Sequence, residues 1–204
     1  MALSKIDVAN MVTGATPVAN GGTGLTSGTS GQILKFSGTT TLASAAEAAG
    51  GKLLQVQNAD FTSTNTTVSA ASFGATEVTD QITPSATSSK VLVMMSLTLG
   101  MYEGSGTGNH CQVAIYKQVD GGGYSRVSYG NADNSIDGQS GFGAGTEINS
   151  SRFVTLQFLD SPNTTSAVDY KLYIRLSVAS GGGDNVNTGP SNLQRSVTLM
   201  EIGA

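Results

Sequence analysis

Residues 169–178 read Asp-Tyr-Lys-Leu-Tyr-Ile-Arg-Leu-Ser-Val. In an extended chain Tyr170, Leu172, Ile174, Leu176 and Val178 share one side, and Lys171, Tyr173, Arg175 and Ser177 share the other. A period of two with an apolar and a polar side predicts an antiparallel strand lying on a core by one face. Residues 91–99 repeat the pattern with Val91, Val93, Met95, Leu97 and Leu99, although Leu92 and Met94 make part of the opposite face apolar as well. Residues 152–159, Arg-Phe-Val-Thr-Leu-Gln-Phe-Leu, are apolar on both faces. Further strands are expected at 52–59, 66–70, 75–83, 111–119, 124–129 and 195–202, with Gly121-Gly122-Gly123 joining two of them as a hairpin. Some nine short strands separated by turn residues, with no long helix, predict an all-β fold: an antiparallel sandwich, a jelly roll or a small barrel.

The outer face of a two-layer sandwich is normally wet. Leu92, Met94, Val154, Leu156, Phe158, Met200 and Ile202 therefore need cover beyond what one sandwich supplies, and are the candidate subunit interface of a symmetric oligomer. A register error of one residue would instead place some of them in the core.

The β pattern begins near Lys52. Residues 1–50 are a different material, with 30 of the 50 being Gly, Ala, Ser or Thr. Such a segment buries too little apolar surface to offset its backbone entropy. It reads either as a flexible linker or as an extended segment ordered by other chains. The short apolar cluster Gln32-Ile33-Leu34-Lys35-Phe36 between Gly31 and Gly38 favours the second, as a short strand. Residues 43–49 are the best helix-forming run, with Ser44 and Glu47 spaced as a capping box and Gly50 and Gly51 as terminators. The expected division is thus an extended segment at 1–50 and a β domain at 51–204.

Composition narrows the chemistry. Ten Lys and Arg against 14 Asp and Glu give a net charge of −4 and no basic stripe for nucleic acid. No run is long and apolar enough to span a membrane as a helix, and no secretory signal is evident. One cysteine, Cys111, and one histidine, His110, exclude an internal disulfide and a multi-histidine metal site. Neighbours in a strand point to opposite faces, so the two pair poorly as a catalytic dyad, and Cys111 is expected to be buried. The run Asn131-Ala-Asp133-Asn-Ser135-Ile-Asp137-Gly138 resembles a calcium loop, but Ala144 stands where an EF-hand needs its final Glu. No metal, cofactor or catalytic residue is therefore expected, and the chain is read as a non-enzyme. The Gly- and Asn-rich stretches 102–110, 130–150 and 179–194 are the expected binding loops. Tyr102, Tyr124, Tyr129, Asp133, Asp137 and Phe142, rings beside hydrogen-bonding groups, are the candidate receptor contacts.

Pro17–Ala43, PVANGGTGLTSGTSGQILKFSGTTTLA, resembles a recurring segment of bacteriophage tail-fibre proteins through its GGTG core and the GTSGQ-apolar-apolar strand that follows. ITPSATSSKVLV at Ile82–Val93 and VTLMEI at Val197–Ile202 resemble a β domain of phage virion proteins. The resemblance implies a homotrimeric virion protein with a thin attachment segment and a jelly-roll head. It implies a short tail fibre that binds host-surface glycan or protein, or alternatively a capsid head fibre or decoration protein. A glycan depolymerase is the remaining enzymatic alternative. Other virion proteins are the partners expected for residues 1–50, with no nucleic acid and no membrane insertion.

Overall fold

The computed structural model describes residues 22–25, 27–39, 41–46, 51–62, 65–103, 111–127, 136–138, 148–176, 183–189 and 193–203. The chain divides into two units, Met1–Ala49 and Gly50–Ala204, within one residue of the boundary that composition suggests.

In the first unit β1 (Ile33–Phe36) and β2 (Leu42–Ala45) form an antiparallel hairpin, with Ile33 opposite Ala45 and Phe36 opposite Leu42. The expected strand between Gly31 and Gly38 is present. The expected helix over 43–49 is not: residues 43–45 are strand, and residues 47–50 lie outside the described set. A seven-residue helix is marginal by itself, whereas the hairpin offers these residues a ready partner strand. The Ser44 hydroxyl, expected to cap a helix, bonds to the Gln32 side chain.

The second unit is a two-sheet sandwich. One sheet contains β3 (Leu53–Phe61), β4 (Thr67–Val68), β6 (Lys90–Glu103), β10 (Ile148–Asp160), β12 (Asn185–Asn187) and β13 (Arg195–Ile202). The other contains β5 (Gly74–Ile82), β7 (Cys111–Val119), β8 (Ser125–Arg126), β9 (Ile136–Gly138) and β11 (Val168–Leu176). β12 and β13 lie along the same edge of β6, at Gly100–Tyr102 and Lys90–Ser96. β8 and β9 similarly share one edge of β7. β3 and β4 pair with β13 and β12 in turn. Taken as three interrupted strands, these reduce the domain to eight. The first then pairs with the eighth, the second with the seventh, the third with the sixth and the fourth with the fifth. That is one long antiparallel ribbon rolled up so that its strands alternate between two sheets, a jelly roll.

Alternation builds the core. Val91, Val93, Met95 and Leu97 of β6, Val168, Tyr170, Leu172, Ile174 and Leu176 of β11, and Val197 and Leu199 of β13 are all fully buried. Cys111 lies in the same core. β10 corrects one expectation: Leu156 is a core residue, and Val154 and Phe158 pack against the core. They stand opposite Met95, Leu97 and Val93. Directly opposed residues of an antiparallel pair share a face, so the inward set of β6 draws these three inward. The outward residues of β10 are Phe153, Thr155, Gln157 and Leu159. A strand apolar on both faces carries no alternation from which its register could be read. β9 and β12 lie in stretches expected to be loops, and three residues are too few to show a period.

Two polar networks bridge the sheets, and a third ties β3 and β13 to the loop after β5. Arg195, on β13, has a fully buried side chain and pairs with Glu77 of β5 at 2.6 Å. Glu77 also accepts from Thr66 and, at 2.7 Å, from Thr188. Burial alone would raise the Glu77 carboxyl, but the bonds from Thr66, Thr188, its own backbone and Arg195 outweigh it and hold it low. Asp160 of β10 receives Lys117 at 2.8 Å and the Tyr170 hydroxyl at 2.7 Å, both from the other sheet. Burial, followed by Asp160, pushes the Tyr170 phenol far up. Glu201 accepts from the Ser85 backbone at 2.7 Å, its hydroxyl at 2.6 Å and Gln55 at 2.6 Å. Burial opposes its ionisation, yet the bonds from Ser85 and Gln55 prevail and lower its carboxyl to about 2.

Candidate functional site

Inner faces are filled with core, so among the described residues of the sandwich the two outer faces are the candidate surfaces. On the β3–β13–β6–β10 sheet the register aligns Val56, Met200, Leu92 and Leu159 in one row across four strands. The next row is Asn58, Thr198, Met94 and Gln157. Ile202 stands beside Leu53, after a register shift in β13. Val56 is 48% exposed, Leu159 46% and Leu53 53%, whereas Leu92, Met94, Met200 and Ile202 are half-buried. Scattered exposed apolar side chains are ordinary, but a contiguous row across a sheet marks an interaction surface. Four of the seven interface candidates, Leu92, Met94, Met200 and Ile202, are therefore gathered on one face. Val154, Leu156 and Phe158 are not, and Val56, Leu159, Leu53 and the 72% exposed Phe153 were missed. The signal for Leu159 and Phe153 was the double-sided apolarity of 152–159, read with the wrong parity.

The outer face of the β5–β11–β7–β8 sheet is of another kind. Tyr116 of β7 and Tyr173 of β11 stack with ring centroids 3.9 Å apart and planes 26° from parallel. Phe73, just before β5, lies 5.9 Å from Tyr116. Tyr124, just before β8, lies 5.9 Å from Tyr173. Three cations join the four rings. The Arg175 guanidinium is 4.6 Å from the Phe73 centroid, that of Arg126 is 5.6 Å from it, and the Lys171 ammonium is 5.0 Å from that of Tyr124. These distances lie within the range of cation–π attraction. The Tyr124 hydroxyl donates to Asp169 at 2.6 Å, and the Thr79 hydroxyl donates to the other Asp169 oxygen. Burial, and then Asp169, pushes the Tyr124 phenol up to about 12. Burial also raises Tyr173, with Tyr116 and Asp169 adding to it. Asp80 is raised by burial and by Asp169, the latter two effects opposed by a bond from the Gln81 backbone. The Tyr124 and Tyr173 hydroxyls therefore stay protonated at neutral pH, and the face offers rings, phenols and fixed cations.

Of the receptor candidates, Tyr124 belongs to this cluster. Alternation puts Tyr102 on the outer face of the opposite sheet, across from Asn149 and Asn185, so the two are not brought together. Asp137 occupies a register position opposite Gln112 in β9. Tyr129, Asp133 and Phe142 lie outside the described residues. Tyr116, Tyr173 and Phe73 were missed because a polar-side tyrosine in a strand looks like ordinary surface until its neighbours are known. Among the described residues no group of three His, Cys, Asp or Glu is placed to hold a metal, and none forms a helix long and apolar enough to cross a membrane.

No protein-family model matches the chain, and no curated protein does. Solved structures of infectious bursal disease virus resemble it loosely. The T13 viral particle gives 16% identity and a TM-score of 0.34 over 84% of this chain and 40% of that one. The VP2 subviral particle gives 12% and 0.30 over 83% and 42%, and the T=1 particle 13% and 0.31 over 85% and 41%. The chain spans about two fifths of the length of those chains. At such scores the likeness carries no argument, and the jelly-roll assignment rests on the strand order itself.

Proposed function

We propose that this chain is a virion structural protein, a homotrimeric short tail fibre whose residues 1–50 attach it to the particle and whose β domain meets the host. The observation that carries the assembly reading is the row Val56–Met200–Leu92–Leu159, an apolar band across the outer face of a jelly-roll sheet. A second copy of the same uncharged row would remove that surface from water at about 25 cal/mol per Å². Trimeric order and membership of a phage particle are supported by the resemblance of Pro17–Ala43 to a tail-fibre segment and of Ile82–Val93 and Val197–Ile202 to a β domain of phage virion proteins. Its work is structural and adhesive rather than enzymatic.

Two measurements test the reading. Light scattering of the full chain should give three times its 20.6 kDa mass, and Leu92→Asp should yield a folded monomer, because a carboxylate in the apolar row opposes its burial. A wild-type monomer at micromolar concentration refutes assembly. Immunogold labelling of intact particles should decorate the tail; label on the capsid selects a head fibre or decoration protein instead, and unlabelled particles refute the virion assignment.

A further inference from the structure

We propose that the outer face of the β5–β11–β7–β8 sheet binds an anionic saccharide, a sugar ring carrying a carboxylate. The inference deepens the adhesive part of the function proposed above and stands on a different surface from the assembly row.

Three observations meet here. First, Phe73, Tyr116, Tyr173 and Tyr124 form a continuous strip of rings across the sheet. The apolar C–H face of a pyranose packs on such rings, while phenol hydroxyls bond its edge. Second, the chain carries a net charge of −4 with only ten Lys and Arg in all. Three of those ten, Lys171, Arg126 and Arg175, sit within 5.6 Å of this strip's ring centroids. Asp169 beside them has both oxygens engaged by the Tyr124 and Thr79 hydroxyls. A local cationic surface on an acidic protein is complementary to an anion and repels the protein's own copies less than its remaining surface does. Third, the groups are held in place. Gln112 accepts from the Arg175 Nε at 2.5 Å, and the stacked tyrosines stand on paired strands. Prior ordering reduces the entropy lost on binding. A guanidinium is also suited to a carboxylate, whose two oxygens match its fork.

The test uses the purified full chain and three polymers in calorimetry: polygalacturonate, which has ring and carboxylate; dextran, which has the ring alone; and polyphosphate, which has the charge alone. Polygalacturonate should bind at least tenfold more tightly than either of the others, and more weakly as salt rises. Arg175→Gln and Tyr173→Ala should each weaken it about tenfold, whereas Lys90→Gln, on the opposite sheet, should leave it unchanged. Melting curves establish that each variant is folded; should Tyr173→Ala fail to fold, Lys171→Gln, with an expected severalfold loss, takes its place. Absence of binding at millimolar uronate overturns the proposal. So does equal affinity for dextran or polyphosphate, or full affinity in folded Arg175→Gln. Because no particle enters the experiment, its failure leaves the virion assignment intact, and unlabelled particles would leave this site standing.

Discussion

Glu77→Ala should be among the most damaging single substitutions in the β domain. Glu77 places one oxygen 2.6 Å from an Arg195 nitrogen and 2.7 Å from the Thr188 hydroxyl, and the other on the Thr66 hydroxyl. The Arg195 side chain is 0% exposed. Among its other contacts, those with the Leu193 carbonyl at 3.4 Å and the Thr188 hydroxyl at 3.5 Å are long. Breaking a buried ion pair by removing one partner costs about 3–5 kcal/mol, whereas removing both partners costs far less. The expected loss is about 3 kcal/mol for Glu77→Ala and about 1–2 kcal/mol for Glu77→Gln combined with Arg195→Met. Urea unfolding followed by circular dichroism at one fixed protein concentration reads both. With a slope of about 2 kcal/mol per molar urea, the single variant's midpoint should fall by about 1.5 M and the double variant's by under 1 M. A single-variant loss below about 1 kcal/mol, or a double variant at least as unstable as the single, refutes the reasoning that the broken Glu77–Arg195 pair dominates.

Acid should loosen the domain through Glu201. Its carboxyl is lowered from 4.5 to about 2, so its contribution is complete above pH 4.5 and disappears as pH falls towards 2, a change on the order of 3 kcal/mol. Glu201→Gln should flatten the decline in melting temperature over that interval; an unaltered profile argues against the Ser85 and Gln55 bonds. Gly189 has φ +87°, and a Cβ there would lie 2.6 Å from the Thr98 carbonyl oxygen. Gly189→Ala should therefore cost about 2 kcal/mol by strain and clash, read as a lower urea midpoint, and a neutral result would mean that the backbone there gives way easily. Leu156→Ala should cost about 3 kcal/mol as a core cavity while leaving the assembled mass unchanged; dissociation with undiminished stability would return Leu156 to the interface.

Fold class and the position of the boundary near Gly50 follow from local pattern alone. Alternation at Tyr170–Leu176 and Val91–Leu99 names their buried faces directly, because side chains on a strand alternate regardless of its partner. The loss of large apolar residues before Gly50 likewise marks where core formation stops. The remaining features arise from contacts between segments far apart in the chain. Residues 43–45 became strand because a hairpin partner was at hand, although their propensity is helical. Leu156 turned inward because β6 opposite it already faced inward, and a strand apolar on both sides cannot choose for itself. The row Val56–Met200–Leu92–Leu159 and the strip Phe73–Tyr116–Tyr173–Tyr124 each place side by side residues drawn from distant stretches of the chain. Each is set by strand register, a relation between segments that no single segment encodes.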